Sequence, residues 1–111
     1  MKKVFNKLVR DKIPQIIELN GSVPFCKTLT DEENLIELNK KLTEEINEYF
    51  SASEETCIEE LADIVEVIYG LLKAKNVSIE NFEKIRKEKK DKRGGFEEKV
   101  FLEYTLTKDN N

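Results

Sequence analysis

The chain has 111 residues, 39% apolar and 38% charged, with four Gly, two Pro and a net charge of −4; that size supports one domain around one modest core and excludes a multidomain machine. No window nears the ~18 consecutive apolar residues of a membrane span, and Met1-Lys2-Lys3 leads into mixed polar sequence rather than an apolar leader, so a cytoplasmic protein without a membrane partner is expected. His is absent, and Cys26 and Cys57 lack the companions of a Cys/His zinc site, which excludes Ser-His and Cys-His nucleophiles and leaves chemistry to carboxylates, Lys, Arg or a metal.

In chain order, Asp11 precedes Pro14 and the apolar set Ile13, Ile16, Ile17 and Leu19, a pattern that predicts a short helix capped by Asp11 and stopped at Asn20-Gly21. Residues 23–29 contain Pro24 and read as extended. Thr30 or Asp31 then caps a long helix, with Glu33 near its N-terminus. Its residues Leu35, Leu38, Leu42, Ile46, Tyr49 and Phe50 fall on one stripe that should pack inward. Ser51-Ala52-Ser53 breaks the pattern, Ser53 is placed to cap the next helix, and residues 54–75 complete an antiparallel hairpin. Ser78 and Glu80 open a further helix that Gly94-Gly95 ends. Residues 99–107, rich in Val, Phe, Tyr and Thr, could pair with 23–29 as a short β pair or continue as helix, and 107–111 form a polar tail. The fold is therefore expected to be mainly α.

Charge segregates along these elements: residues 1–12 carry +4, 31–66 carry −11 and 84–93 carry +5. Pairing between solvated helices is the ordinary account of such segregation. The functional account is a metal-binding floor with cationic walls around a polyanion. A nucleic acid polymer fits poorly, because the acidic middle opposes it and no aromatic-plus-basic stacking pattern is present.

Carboxylate placement separates the two accounts. On the first long helix Glu44 lies opposite the apolar stripe and should face water, whereas Glu45 and Glu48 share one flank of it. On the second, Ile58, Leu61, Ile64, Val65, Ile68 and Leu72 form the expected core stripe and Glu59 and Glu66 point outward. Glu60 and Asp63 lie on a flank continued by the apolar Val67 and Leu71, which implies that something covers it. Two partly covered carboxylate pairs on neighbouring helices repel unless protonated or bridged by a cation. Hard oxygen donors favour Mg²⁺, or Mn²⁺, over zinc or copper.

With that spacing in view, the chain resembles the MazG-like superfamily of all-α nucleoside triphosphate pyrophosphohydrolases, whose signature is E-E-x-x-E on one helix and E-x-x-D on the next. Here these stand as Glu44-Glu45-Ile46-Asn47-Glu48 and Glu60-Leu61-Ala62-Asp63, with eleven residues between Glu48 and Glu60, at the short end of the pattern. Lys7-Leu8-Val9-Arg10-Asp11-Lys12-Ile13-Pro14 and Lys92-Arg93-Gly94-Gly95-Phe96 are similar to the small phosphoribosyl-ATP-pyrophosphohydrolase-like branch. The resemblance implies Mg²⁺-dependent hydrolysis of a nucleoside triphosphate between its α and β phosphates, with Glu45, Glu48, Glu60 and Asp63 as metal ligands and catalytic groups. Phosphoribosyl-ATP hydrolysis, and a non-catalytic helical interaction protein on the same scaffold, are the alternatives.

A triphosphate also needs cations, for which Arg10, Lys12, Lys89, Lys92 and Arg93 are the candidates. Phe5, Asn6 and Phe96 are candidates for base recognition. The stretch from Ile58 to Leu72 has ten apolar residues in fifteen, more than one neighbouring helix covers. The resemblance implies a homodimer or homotetramer in which two chains complete a four-helix bundle.

Overall fold

The computed structural model describes residues 1–108 and contains α1 (Ile13–Leu19), α2 (Asp31–Ser51), α3 (Cys57–Ala74) and α4 (Ile79–Arg93), with no strand among the described residues. The all-α expectation holds. The chain divides into two compact units, Met1–Ile79 and Glu80–Asn111. Of the polar tail expected over 107–111, residues 109–111 lie outside the described residues.

The β pair between 23–29 and 99–107 does not form, and 99–107 does not continue as helix either. Pro24 has no N–H to give a ladder. Val100, Phe101 and Leu102 are consecutive rather than alternating, so no register places them on one sheet face. Lys99 also adopts a left-handed φ of 57°, which interrupts an extended run at its start.

α1 starts without the expected Asp11 cap: its N-cap is Lys12, which makes no side-chain capping bond. Pro14 in the first turn supplies the start instead, since its φ is already helical and its missing N–H would have no intrahelical partner. At the far end Gly21 takes φ 91°, and the Gly21 and Ser22 N–H groups donate to Glu18 and Ile17 carbonyls, closing the helix. α2 opens with a full capping box, in which the Thr30 hydroxyl accepts from the Glu33 N–H and the Glu33 carboxylate accepts from the Thr30 N–H. Ser53 does not cap α3. Its carbonyl accepts from the N–H groups of Thr56 and Cys57, forming a turn that delays the helix to Cys57.

α2 and α3 pack as the expected antiparallel hairpin, Leu38 meeting Gly70 at one end and Glu45 meeting Glu60 and Asp63 at the other. Gly70 sets the approach: a Cβ there would stand 3.1 Å from Leu38 Cδ2, so the missing side chain lets Leu38 lie against the α3 backbone. Leu38 and Val67 are the buried apolar residues of this seam.

The expected α3 stripe is covered only in part, and the flank at Val67, which was expected to be covered, is the most buried part of the helix. Ile58, Leu61 and Val65 remain 69%, 40% and 42% exposed, while Val67 on the neighbouring flank is buried. On α2, Leu38 is buried, but Ile46 and Phe50 at the lower end of the expected stripe are exposed. A single partner helix offers one seam, and the close approach at Gly70 rotates α3 so that Asp63, Val67 and Gly70 lie along it. Ile64, Ile68 and Leu72 of the expected stripe are half-buried, while its Ile58, Leu61 and Val65 side is left exposed.

In the second unit α4 ends at Gly94, whose φ of 85° suits the position after a helix and whose N–H donates to the Lys90 carbonyl. Lys90, Lys92 and Arg93 occupy the last turn, where positive charge complements the helix dipole. Among the described residues no helix is long and apolar enough to cross a membrane.

Candidate metal centre

Helical i, i+3 spacing projects Glu45 and Glu48 from α2, and Glu60 and Asp63 from α3, while the antiparallel register brings the lower half of α2 opposite the first turns of α3. Carboxylate oxygens of Glu45, Glu60 and Asp63 lie within 4.8 Å of one another, and so do those of Glu44, Glu45 and Glu48. Glu45 belongs to both groups and is 7% exposed. Glu60 and Asp63 are half-buried, and Glu48 stands at the exposed edge beside Glu45. The structure thus brings Glu45, Glu60 and Asp63 directly together and joins Glu48 to them through Glu45.

The centre is electrostatically incomplete. Glu45 Oε2 and Glu60 Oε2 are buried without a hydrogen-bond partner among the described residues, a condition that is costly for a carboxylate. Burial raises the Glu45 pKa above the ordinary carboxylate value, the charges of Glu48 and Asp63 add to the rise, and the Lys41 ammonium opposes it. Lys41 Nζ lies 3.5 Å from Glu45 Oε1 and 3.7 Å from Glu44 Oε1, and Lys7 Nζ lies 3.5 Å from Glu44 Oε1. Arg10 Nη2 donates to Asp63 Oδ1 at 2.7 Å. Three cations thus face five carboxylates, a formal excess of two negative charges.

Glu44 does not face open water as its wheel position suggests. It is half-buried, because Lys7 and Lys41 fold over it. Lys41 was legible as a base three and four residues before Glu44 and Glu45 on one helix face. Lys7 had no such signal, since its contact joins residues far apart in sequence.

The donor set consists of hard carboxylate oxygens, two of them orphaned and buried, and so fits Mg²⁺ or Mn²⁺. Of the proposed phosphate-binding cations, Arg10 stands at the cluster, tied to Asp63. Lys12 is exposed at the α1 N-cap and takes no part in the cluster's ion pairs. Lys89, Lys92 and Arg93 are exposed in the second unit, where Lys89 and Arg93 line a shallow pocket with Arg86, Gly94, Gly95 and Phe96. Phe5 is exposed, with Lys3 Nζ 5.1 Å and Lys7 Nζ 5.9 Å from its ring centroid, an arrangement of cation–π type.

The sequence model of the family described as phosphoribosyl-ATP pyrophosphohydrolase matches residues 5–90, a span that includes all five clustered carboxylates. An uncharacterized protein of Mycolicibacterium smegmatis (strain ATCC 700084 / mc(2)155) is 44% identical over 46 residues, covering 41% of this chain and 47% of that protein. The match therefore spans about half the length of that curated relative. No solved structure matches the chain.

Proposed function

Because the chain belongs to the phosphoribosyl-ATP pyrophosphohydrolase family, a family of pyrophosphate-releasing hydrolases, we propose that it hydrolyses a nucleoside triphosphate between the α and β phosphates in a Mg²⁺-dependent reaction. The products are a nucleoside monophosphate and pyrophosphate, and the substrate is a non-canonical or excess member of the cytoplasmic nucleotide pool. One observation carries the reading: carboxylates of α2 and α3 converge with two buried oxygens that have no donor.

Glu45, Glu60 and Asp63 would hold the ion, with Mn²⁺ as a substitute. When bound, it supplies positive charge to the phosphoryl oxygens and acidifies water. Glu48, at the exposed edge, orients the attacking water and accepts its proton, which relieves the absence of histidine. Lys41 keeps Glu44 and Glu45 in place from the side of α2. Arg10 and Lys12 supply cations for the β and γ phosphates, and the charge of Lys89, Lys92 and Arg93 makes them further candidates.

The test is pyrophosphate release from a panel of triphosphates with Mg²⁺ or with chelator. Release with Mg²⁺ alone is expected; none from any triphosphate would discard the reading. Phosphoribosyl-ATP belongs in the panel as the second reading, favoured by the matching family's description. It presents the same α–β bond, and only relative kcat/KM separates the two.

We further propose a homodimer or homotetramer. Ile58, Leu61 and Val65 form an exposed apolar stripe on α3, on the side away from the seam with α2, and a second copy would cover it as the other half of a four-helix bundle. Sedimentation is expected to return a dimer or larger species that Val65→Glu dissociates; a fully active monomer would remove this proposal.

A further inference from the structure

We propose that Arg10 is a built-in counter-ion for Asp63, which a divalent cation displaces, so that metal binding frees the guanidinium for the phosphates of the substrate. This rests on the metal-centre reading above and adds to it an order of binding: metal first, triphosphate second.

The contact has the character of a stand-in. Arg10 Nη2 donates to Asp63 Oδ1 at 2.7 Å across 53 residues of sequence, the shortest ion pair at the cluster. Asp63 is one of the three carboxylates whose oxygens converge, so the guanidinium is bound to a residue of the ligand group. It serves that one oxygen, while Glu45 Oε2 and Glu60 Oε2 in the same group keep no donor. One positive charge at the rim therefore neutralises the site only in part.

Arg10 is also built to leave. Its side chain is 56% exposed and that of Asp63 40%, so neither is locked by packing. Its backbone is anchored, because the Arg10 carbonyl accepts from the Ile13 N–H at 3.0 Å in the first turn of α1. The head can move while the stem stays at the cluster. A guanidinium presents five donors in a planar fork suited to phosphate, of which this contact uses one nitrogen.

Two cations contending for one carboxylate are linked reciprocally: whatever the Arg10 contact contributes is subtracted from metal affinity, and metal binding weakens the contact equally. Lys7 provides the comparison, since it carries the same charge to Glu44, which is outside the Glu45, Glu60 and Asp63 group.

The experiment titrates Mn²⁺ by calorimetry into nucleotide-free wild type, Arg10→Ala, Arg10→Gln and Lys7→Ala, then titrates a non-hydrolysable triphosphate at saturating Mn²⁺. For the Arg10 variants, Mn²⁺ affinity is expected to rise about two- to fivefold, the range of an exposed ion pair, and triphosphate affinity to fall about tenfold. Opposite signs in the two titrations are not what a merely structural residue produces. Unchanged or weaker Mn²⁺ binding in the Arg10 variants, or an equal gain in Lys7→Ala, overturns the proposal while leaving the metal centre standing. Absence of Mn²⁺ binding in all four proteins overturns the metal centre and the Arg10 proposal together. The glutamine variant retains a polar stem, so a folding defect confined to alanine does not obscure the result.

Discussion

Asp63→Asn and Glu60→Gln are each expected to lower pyrophosphate release by about a hundredfold or more, the scale on which loss of a metal-site group acts. Each exchange keeps the shape of the side chain but removes a charge from the group formed with Glu45. For Glu60 the amide also places a donor or an uncharged acceptor where a buried Oε2 has no partner. Folding should survive, because the contact that Asp63 loses is a half-exposed ion pair with Arg10, worth about 0.2–1 kcal/mol in such settings. Glu59→Gln and Glu66→Gln, on exposed positions of the same helix, serve as controls and should stay within about twofold of wild type. Steady-state kinetics at saturating Mg²⁺ checks the difference, and turnover within a few-fold of wild type in both cluster variants would detach the cluster from catalysis.

The second large effect is on stability. Burial raises the Glu45 pKa in the folded chain, so between the ordinary carboxylate value and the raised one the folded state binds more protons than the unfolded state. Stability therefore falls as pH rises through that window. Glu33 acts in the opposite sense: its capping bonds to Thr30 lower its pKa, and the stability they contribute is lost as pH falls. A divalent ion takes the place of the Glu45 proton, so its stabilising effect should grow as pH rises through the same window. At Mg²⁺ a hundredfold above its Kd the gain is about 2.7 kcal/mol, on the order of 10 °C in Tm for a chain of this size. In chelator, Glu45→Gln should flatten the decline with pH, and in Mg²⁺ it should abolish the gain. Thermal melts followed by circular dichroism, across pH with and without Mg²⁺, provide the measurement. A gain independent of pH would place the stabilising ion elsewhere than at Glu45.

Local structure was largely legible in the residues. Thr30 followed by Glu33 announced the start of α2, Asn20-Gly21 and Gly94 announced helix ends, and the spacing of apolar residues announced the hairpin. These signals act within one or two turns of chain and need no distant partner. The two caps that depart from expectation have local causes: Pro14 made an Asp11 cap unnecessary, and the Ser53 carbonyl formed a turn where its hydroxyl was expected to cap. The β pair failed because extended character alone does not supply a register.

The sequence by itself determined the helices and their order, and the carboxylate types and spacing that make a hard-cation site chemically sensible. Hydrogen bonds and side-chain periodicity are set over a few residues, which is why those features survive without tertiary information. Only the tertiary structure decided which face of α3 meets α2, because that depends on Leu38 reaching the bare backbone of Gly70. The same packing brought Lys7 and Arg10 onto Glu44 and Asp63. Charge acts through space, and these partners are neighbours only after the chain has folded.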